Sequence, residues 1–67
     1  MTPFTQHEIA CLVAKAEREY LSRHPDAKIG RTVIRDGLVV ILGPDGRLVL
    51  SRYRATVTRC RVLVERV

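Results

Sequence analysis

Tryptophan is absent from this chain, and Phe4, Tyr20 and Tyr53 are its only aromatic residues. Strand-based readers of single-stranded nucleic acid stack bases on several exposed rings, so this shortage argues against that mode of binding. No apolar run approaches the roughly 18 residues that a membrane span needs. Residues Met1 to Glu8 also lack the basic start and apolar centre of a secretory signal. A cytoplasmic protein without membrane contact is expected. Cysteine is limited to Cys11 and Cys60, 49 positions apart, which fits neither a metal motif nor a redox motif. Two free thiols in a reducing compartment are the simpler expectation. Walker and Rossmann glycine patterns are missing as well, so no cofactor, metal or small-molecule substrate is expected. Lysine occurs only twice, against ten arginines. Guanidinium forks suit phosphate and carboxylate recognition, while GC-rich coding gives the same excess without functional content, and composition does not separate the two.

The most informative shortage is of acid. Residues 1–46 carry equal numbers of basic and acidic side chains, whereas residues 47–64 hold Arg47, Arg52, Arg54, Arg59 and Arg61 with no Asp or Glu. Glu65 and Arg66 cancel, so that block accounts for the whole formal charge of +5. A one-ended positive field draws anionic partners, either phosphate backbones or acidic protein surfaces.

At 67 residues the chain, 1–67, has material for a single domain. Its first element is well marked. Thr5 and Glu8 have the spacing of a capping box, with Phe4 and Ile9 at the positions of a hydrophobic staple. Ile9, Leu12, Val13, Ala16 and Tyr20 then form one apolar stripe at helical period. Glu19 and Arg23 make a favourable i,i+4 pair, and Pro25 disfavours helix at His24. The pattern predicts a helix over about 6–23. Cys11 falls nearly opposite the stripe, toward solvent or a partner and away from any strand bearing Cys60, which argues against an intrachain disulfide.

Beyond Gly30 the period changes to that of strands. Residues 31–35 and 38–42 flank Asp36-Gly37, which reads as a tight hairpin, or alternatively as one long strand with a bulge at Gly37. Gly43-Pro44-Asp45-Gly46 is a stronger turn. Residues 47–54 and the β-branched stretch 57–66 complete the set. The expected fold is α+β, with one N-terminal amphipathic helix packed on a three- to four-stranded antiparallel meander.

Leu38 to Leu42 is apolar on both alternating faces, yet one helix covers only one face of a sheet. The open face is therefore expected to expose apolar side chains, and a homodimer packed through it is the simplest cover.

Several constellations have catalytic residue types without catalytic spacing. Ser22, His24 and Asp26 lie on one short stretch around a proline, whereas triad members must converge with the imidazole in the middle. His7 and His24 stand at opposite ends of the helix, too far apart to share a metal. Gly43 to Gly46 has the bare spacing of a phosphate-clamping GXXG loop, but it sits between strands and carries an anionic Asp45. No catalysis is expected.

The arginine block remains. Alternation puts Arg52 and Arg54 on one side of their strand with Tyr53 behind, and Arg59 and Arg61 opposite an apolar face of Cys60, Val62 and Val64. If the two strands pair, four guanidinium groups share one surface. Arg47, Arg52, Arg54, Arg59, Arg61 and Tyr53 are thus the candidate partner-binding residues. An ordinary solvated surface is the competing explanation. Two functions follow from the first: contact with nucleic acid through its phosphates, or an interaction module or inhibitor of phage or mobile-element type, such as an anti-defence protein. The latter would dock on an acidic or nucleic-acid-binding surface of a larger bacterial protein.

Overall fold

Thr5 caps the helix as its spacing predicts. Its hydroxyl accepts from the Glu8 backbone N–H at 3.1 Å, and the Glu8 carboxylate accepts from the Thr5 N–H at 2.9 Å. Such caps contribute about 1 kcal/mol. In the computed structural model, which describes residues 4–59 and 61–67, α1 spans Gln6–Arg23. Arg23 reaches back to Glu19 at 2.9 Å. The His24 N–H then donates to the Tyr20 carbonyl at 2.9 Å, one residue before Pro25.

The strands are β1 Arg31–Arg35, β2 Leu38–Leu42, β3 Val49–Val57 and β4 Val62–Arg66. They form one antiparallel sheet in the order β1-β2-β3-β4, with α1 packed on one face. The fold is α+β. Asp36 and Gly37 both have positive φ, 51° and 77°, the conformation that a two-residue hairpin requires, so the bulged-strand alternative does not occur. Among the described residues no helix is long and apolar enough to cross a membrane.

Three strand boundaries differ from the expected ones. The third strand begins at Val49 instead of 47 and runs on to Val57. The Gly46 N–H donates to the Gly43 carbonyl at 2.9 Å and the Gly43 N–H to the Leu48 carbonyl at 2.8 Å. The Asp45 carboxylate accepts from the backbone N–H groups of Arg47 at 3.0 Å and Leu48 at 3.2 Å. Those bonds keep both residues in the turn, and the same two donors, Arg47 first, hold the Asp45 carboxyl below its ordinary pKa. The fourth strand begins at Val62 instead of 57, and just before it the Thr58 N–H donates to the Arg61 carbonyl at 2.8 Å. Cys60, expected on the apolar face of that strand, lies outside the described residues.

The core lies between α1 and the sheet. Leu12, Ala16, Val39, Ile41 and Tyr53 are wholly buried. Half-buried Ile34, Ala55, Val57, Val62 and Val64 surround them. From the predicted stripe, Leu12 and Ala16 are buried, and Ile9, Val13 and Tyr20 flank them half-buried. A side-chain bond ties the helix to the sheet, with the Thr32 hydroxyl donating to the Glu17 carboxylate at 2.6 Å.

Cys11 does not face away from the sheet. It is half-buried and shares a cavity with Lys15, Arg61, Val62 and Leu63. The helix packs most closely over β4, so a flank beyond the apolar stripe overlooks that edge strand.

The Tyr53 hydroxyl is buried and has no hydrogen-bond partner among the described residues. A buried unpaired hydroxyl costs about 1–3 kcal/mol, so its removal relieves a penalty. Tyr53→Phe should hold or raise stability, by up to about 1 kcal/mol in urea denaturation. A loss of more than that would show that the hydroxyl has a partner in solution.

Candidate nucleic-acid interface

Strand register decides which side chains share the face that α1 leaves open. Val39 and Ile41 of β2 face the helix as part of the core, so Leu38, Val40 and Leu42 face the other way. Cross-strand partners share a face. Arg31, Val33 and Arg35 stand opposite Leu42, Val40 and Leu38. Arg52 and Arg54 stand opposite Val40 and Leu38 from the other side. Glu65 pairs with Arg54, and Leu63 with Thr56. The open face is therefore an aliphatic strip on β2, bordered by Arg31 and Arg35 on β1 and by Arg52 and Arg54 on β3.

Spacing follows from strand geometry. Arg52 and Arg54 are about 6.7 Å apart along β3, and β1 lies about 9.5 Å from β3 across β2. All four arginines are exposed, and Glu65 is the one carboxylate at a strand position on this face among the described residues. The only ion pair among the described residues is Arg23–Glu19, on the helix. Among the described residues none of the four guanidinium groups forms an ion pair, although Glu65 stands opposite Arg54.

The aliphatic strip itself is covered. Val40 is 7% exposed and Leu42 6%, although no helix lies over them. Their neighbours in register are Val33 and Arg52 for Val40, and Arg31 and Val49 for Leu42. Arginine stems lie along apolar surface while the charged heads stay in water. Val40 and Leu42 are therefore buried where the sequence pattern predicts exposure, while Leu63 on the same face is 45% exposed. The large exposed hydrophobics are Leu21, Leu48, Val49, Leu63 and Val67.

Of the residues singled out in the sequence, only Arg52 and Arg54 fall in this array. Arg47 sits in the β2–β3 turn, beside Asp45. Arg59 and Arg61 lie between β3 and β4, past the last β3–β4 pair, Val57 and Val62. They do not join Arg52 and Arg54 on a shared strand surface, because the strand expected to carry them has not begun. Tyr53 is wholly buried beneath α1 and is not a contact residue. Arg31 and Arg35 were missed, since they belong to the half of the chain whose net charge is zero. The signal was present in the alternation Arg31-Val33-Arg35 combined with the Asp36-Gly37 hairpin, which fixes their partners.

Other candidate groups do not assemble into a site. Ser22 donates to the Glu19 carbonyl at 2.8 Å, and the His24 ring lies 4.7 Å from that of Tyr20. His7 Nε2 and Cys11 Sγ are 3.8 Å apart on successive turns of α1. No third His, Cys, Asp or Glu among the described residues joins them in a metal-binding group.

Compared with known protein families, curated proteins and solved structures, the chain matches none.

Proposed function

We propose that this protein is a small non-catalytic binding protein that contacts nucleic acid through the phosphate backbone, using the open face of its sheet. One observation carries the reading: Arg31, Arg35, Arg52 and Arg54 stand in two rows on the face that the helix leaves free. The sheet spaces the four arginine backbones over two rows, which suits successive anionic groups of a polymer better than a single ion. With Tyr53 buried, no ring of the array is available for stacking, so contact is sequence-independent.

The test is salt dependence. Replacing all four arginines with glutamine removes charge but keeps most of the stem over Val40 and Leu42. Binding to labelled single- and double-stranded nucleic acid, followed by anisotropy from low to moderate salt, should weaken in the variant. Each lost phosphate contact should lower the slope of log K against log salt by about 0.7–0.9. The corresponding Arg59→Gln, Arg61→Gln variant should change the slope less. If the quadruple variant binds with unchanged affinity and slope, the reading fails. A second reading, docking on an acidic surface of a larger protein, rests on the mixture of arginine and aliphatic side chains on this face. In that case the same variant loses a protein partner that survives nuclease treatment in a pull-down.

A further inference from the structure

The outer edge of β4 has a different chemistry from the arginine face. β4 ends the sheet, so one side of its backbone has no strand beside it. The Val67 N–H donates to Arg52, and the Arg61 carbonyl accepts from Thr58, so odd-numbered residues of this segment turn their backbone groups toward β3. Backbone groups alternate sides along a strand. Val62, Val64 and Arg66 therefore point their N–H and C=O groups outward, and no described residue pairs with them.

The helix overhangs this edge. Lys15, Arg18, Glu19 and Ser22 line a cavity of about 390 Å³ with Val62, Leu63 and Val64. Cys11, Lys15 and Arg61 line another of about 490 Å³ with Val62 and Leu63. The two share Lys15, Val62 and Leu63, so they form one groove between α1 and β4. Its cations are Lys15, Arg18 and Arg61, while its one carboxylate, Glu19, is held by Arg23 at 2.9 Å. Leu63, on the opposite face of the strand, is 45% exposed.

We infer that this groove binds an extended acidic peptide segment, which adds to β4 as a fifth strand. An unpaired strand edge is a template for another main chain, and pockets beside it select alternate side chains. Side chains of the added strand that face the helix meet Lys15 and Arg18, which select Asp or Glu. Those on the other side lie next to Leu63, which selects aliphatic residues. The segment recognised therefore alternates acidic and aliphatic positions over about five residues, matching the length of β4. This surface is separate from the arginine array, and its ligand is a polypeptide because nucleic acid cannot complete a ladder of backbone amides.

The probe is a labelled seven-residue peptide alternating valine and glutamate, titrated into the intact protein. Amide hydrogen exchange by NMR should slow at Val62, Val64 and Arg66 on binding, with little change at Leu63 and Glu65, which already face β3. N-methylation of alternate peptide amides should weaken binding about tenfold or more, and so should replacing glutamate by lysine. The exposed substitutions Lys15→Glu and Arg18→Glu together should do the same, while the four-glutamine variant of the arginine face should bind within about twofold of wild type. Absence of binding at about 1 mM peptide, or indifference to N-methylation, would overturn the inference. So would a concentration-dependent dimer that protects Val62 and Val64 without peptide, because a second copy would then be the occupant.

Discussion

Gly30→Ala should strongly destabilise the domain, although Gly30 is exposed and lies outside every helix and strand. A Cβ at this position would stand 2.0 Å from the Gly43 carbonyl oxygen, 2.7 Å from the Gly43 carbonyl carbon and 2.8 Å from Pro44 Cα. All three are backbone atoms, so no side chain can swing away. The same residue donates its N–H to the Leu42 carbonyl at 3.0 Å, which pins the start of β1 to β2. Alanine must therefore push apart either the entry to β1 or the β2–β3 turn. A domain of this size holds only about 3–10 kcal/mol of stability in total. A loss of about 2 kcal/mol or more is expected, seen as a fall in Tm of at least roughly 8 °C. Gly46→Ala is the internal comparison, because its Cβ would meet nothing within 4 Å but its φ is 74°. It should lose about 1 kcal/mol through left-handed backbone strain alone. A melting temperature for Gly30→Ala equal to that of wild type would show that the two backbones are not in contact.

Leu12→Asp should abolish cooperative folding. Leu12 is wholly buried in the cluster of Ala16, Val39, Ile41 and Tyr53, where the described residues offer no cation and, of polar side-chain groups, only the Tyr53 hydroxyl. An unpaired carboxylate there either stays ionised at prohibitive cost or takes up a proton and remains an unbonded polar group. The milder Leu12→Ala should lose about 2–5 kcal/mol through lost transfer energy and the cavity it leaves. Val13→Asp, one position round on the half-buried flank, should be less damaging than Leu12→Asp. Urea denaturation followed by circular dichroism separates the three. If Leu12→Asp unfolds at the wild-type midpoint, α1 does not dock through this face.

The helix was legible because all of its determinants are local. Thr5, Glu8, the stripe from Ile9 to Tyr20 and Pro25 act within a turn or two of chain, and the observed span, Gln6–Arg23, has the expected limits. The Asp36-Gly37 hairpin was legible for the same reason, since few residue pairs tolerate two positive φ values in succession. The break between β3 and β4 was not. Thr58-Arg59-Cys60-Arg61 contains no Gly, Pro, Asn or Asp, the residues that mark turns locally. The strand that was read through it carried Arg59 and Arg61 into the wrong place.

The candidate site shows the same division. Alternation along β3 was sufficient to put Arg52 and Arg54 on one side and Tyr53 on the other. Net charge per segment drew attention to residues 47–64 and away from Arg31 and Arg35, whose charges are balanced over residues 1–46 by acids that stand on α1 and in the loops and not on the strands. Cancellation along a sequence says little about cancellation on a surface, where interactions decay within about 10 Å.

By itself, then, the sequence determined the helix and its caps, the glycine turns, the antiparallel order and the alternation of each strand, because these depend on backbone sterics and on side-chain period over a few residues. Only the tertiary structure decided which arginines share a face, that their neighbours β1 and β3 bury Val40 and Leu42 without a second layer, and that Cys11 and Lys15 overlook the edge of β4. Those outcomes depend on inter-strand register and on where the helix sits across the sheet. Both are fixed by packing among residues distant in the chain, which no local pattern encodes.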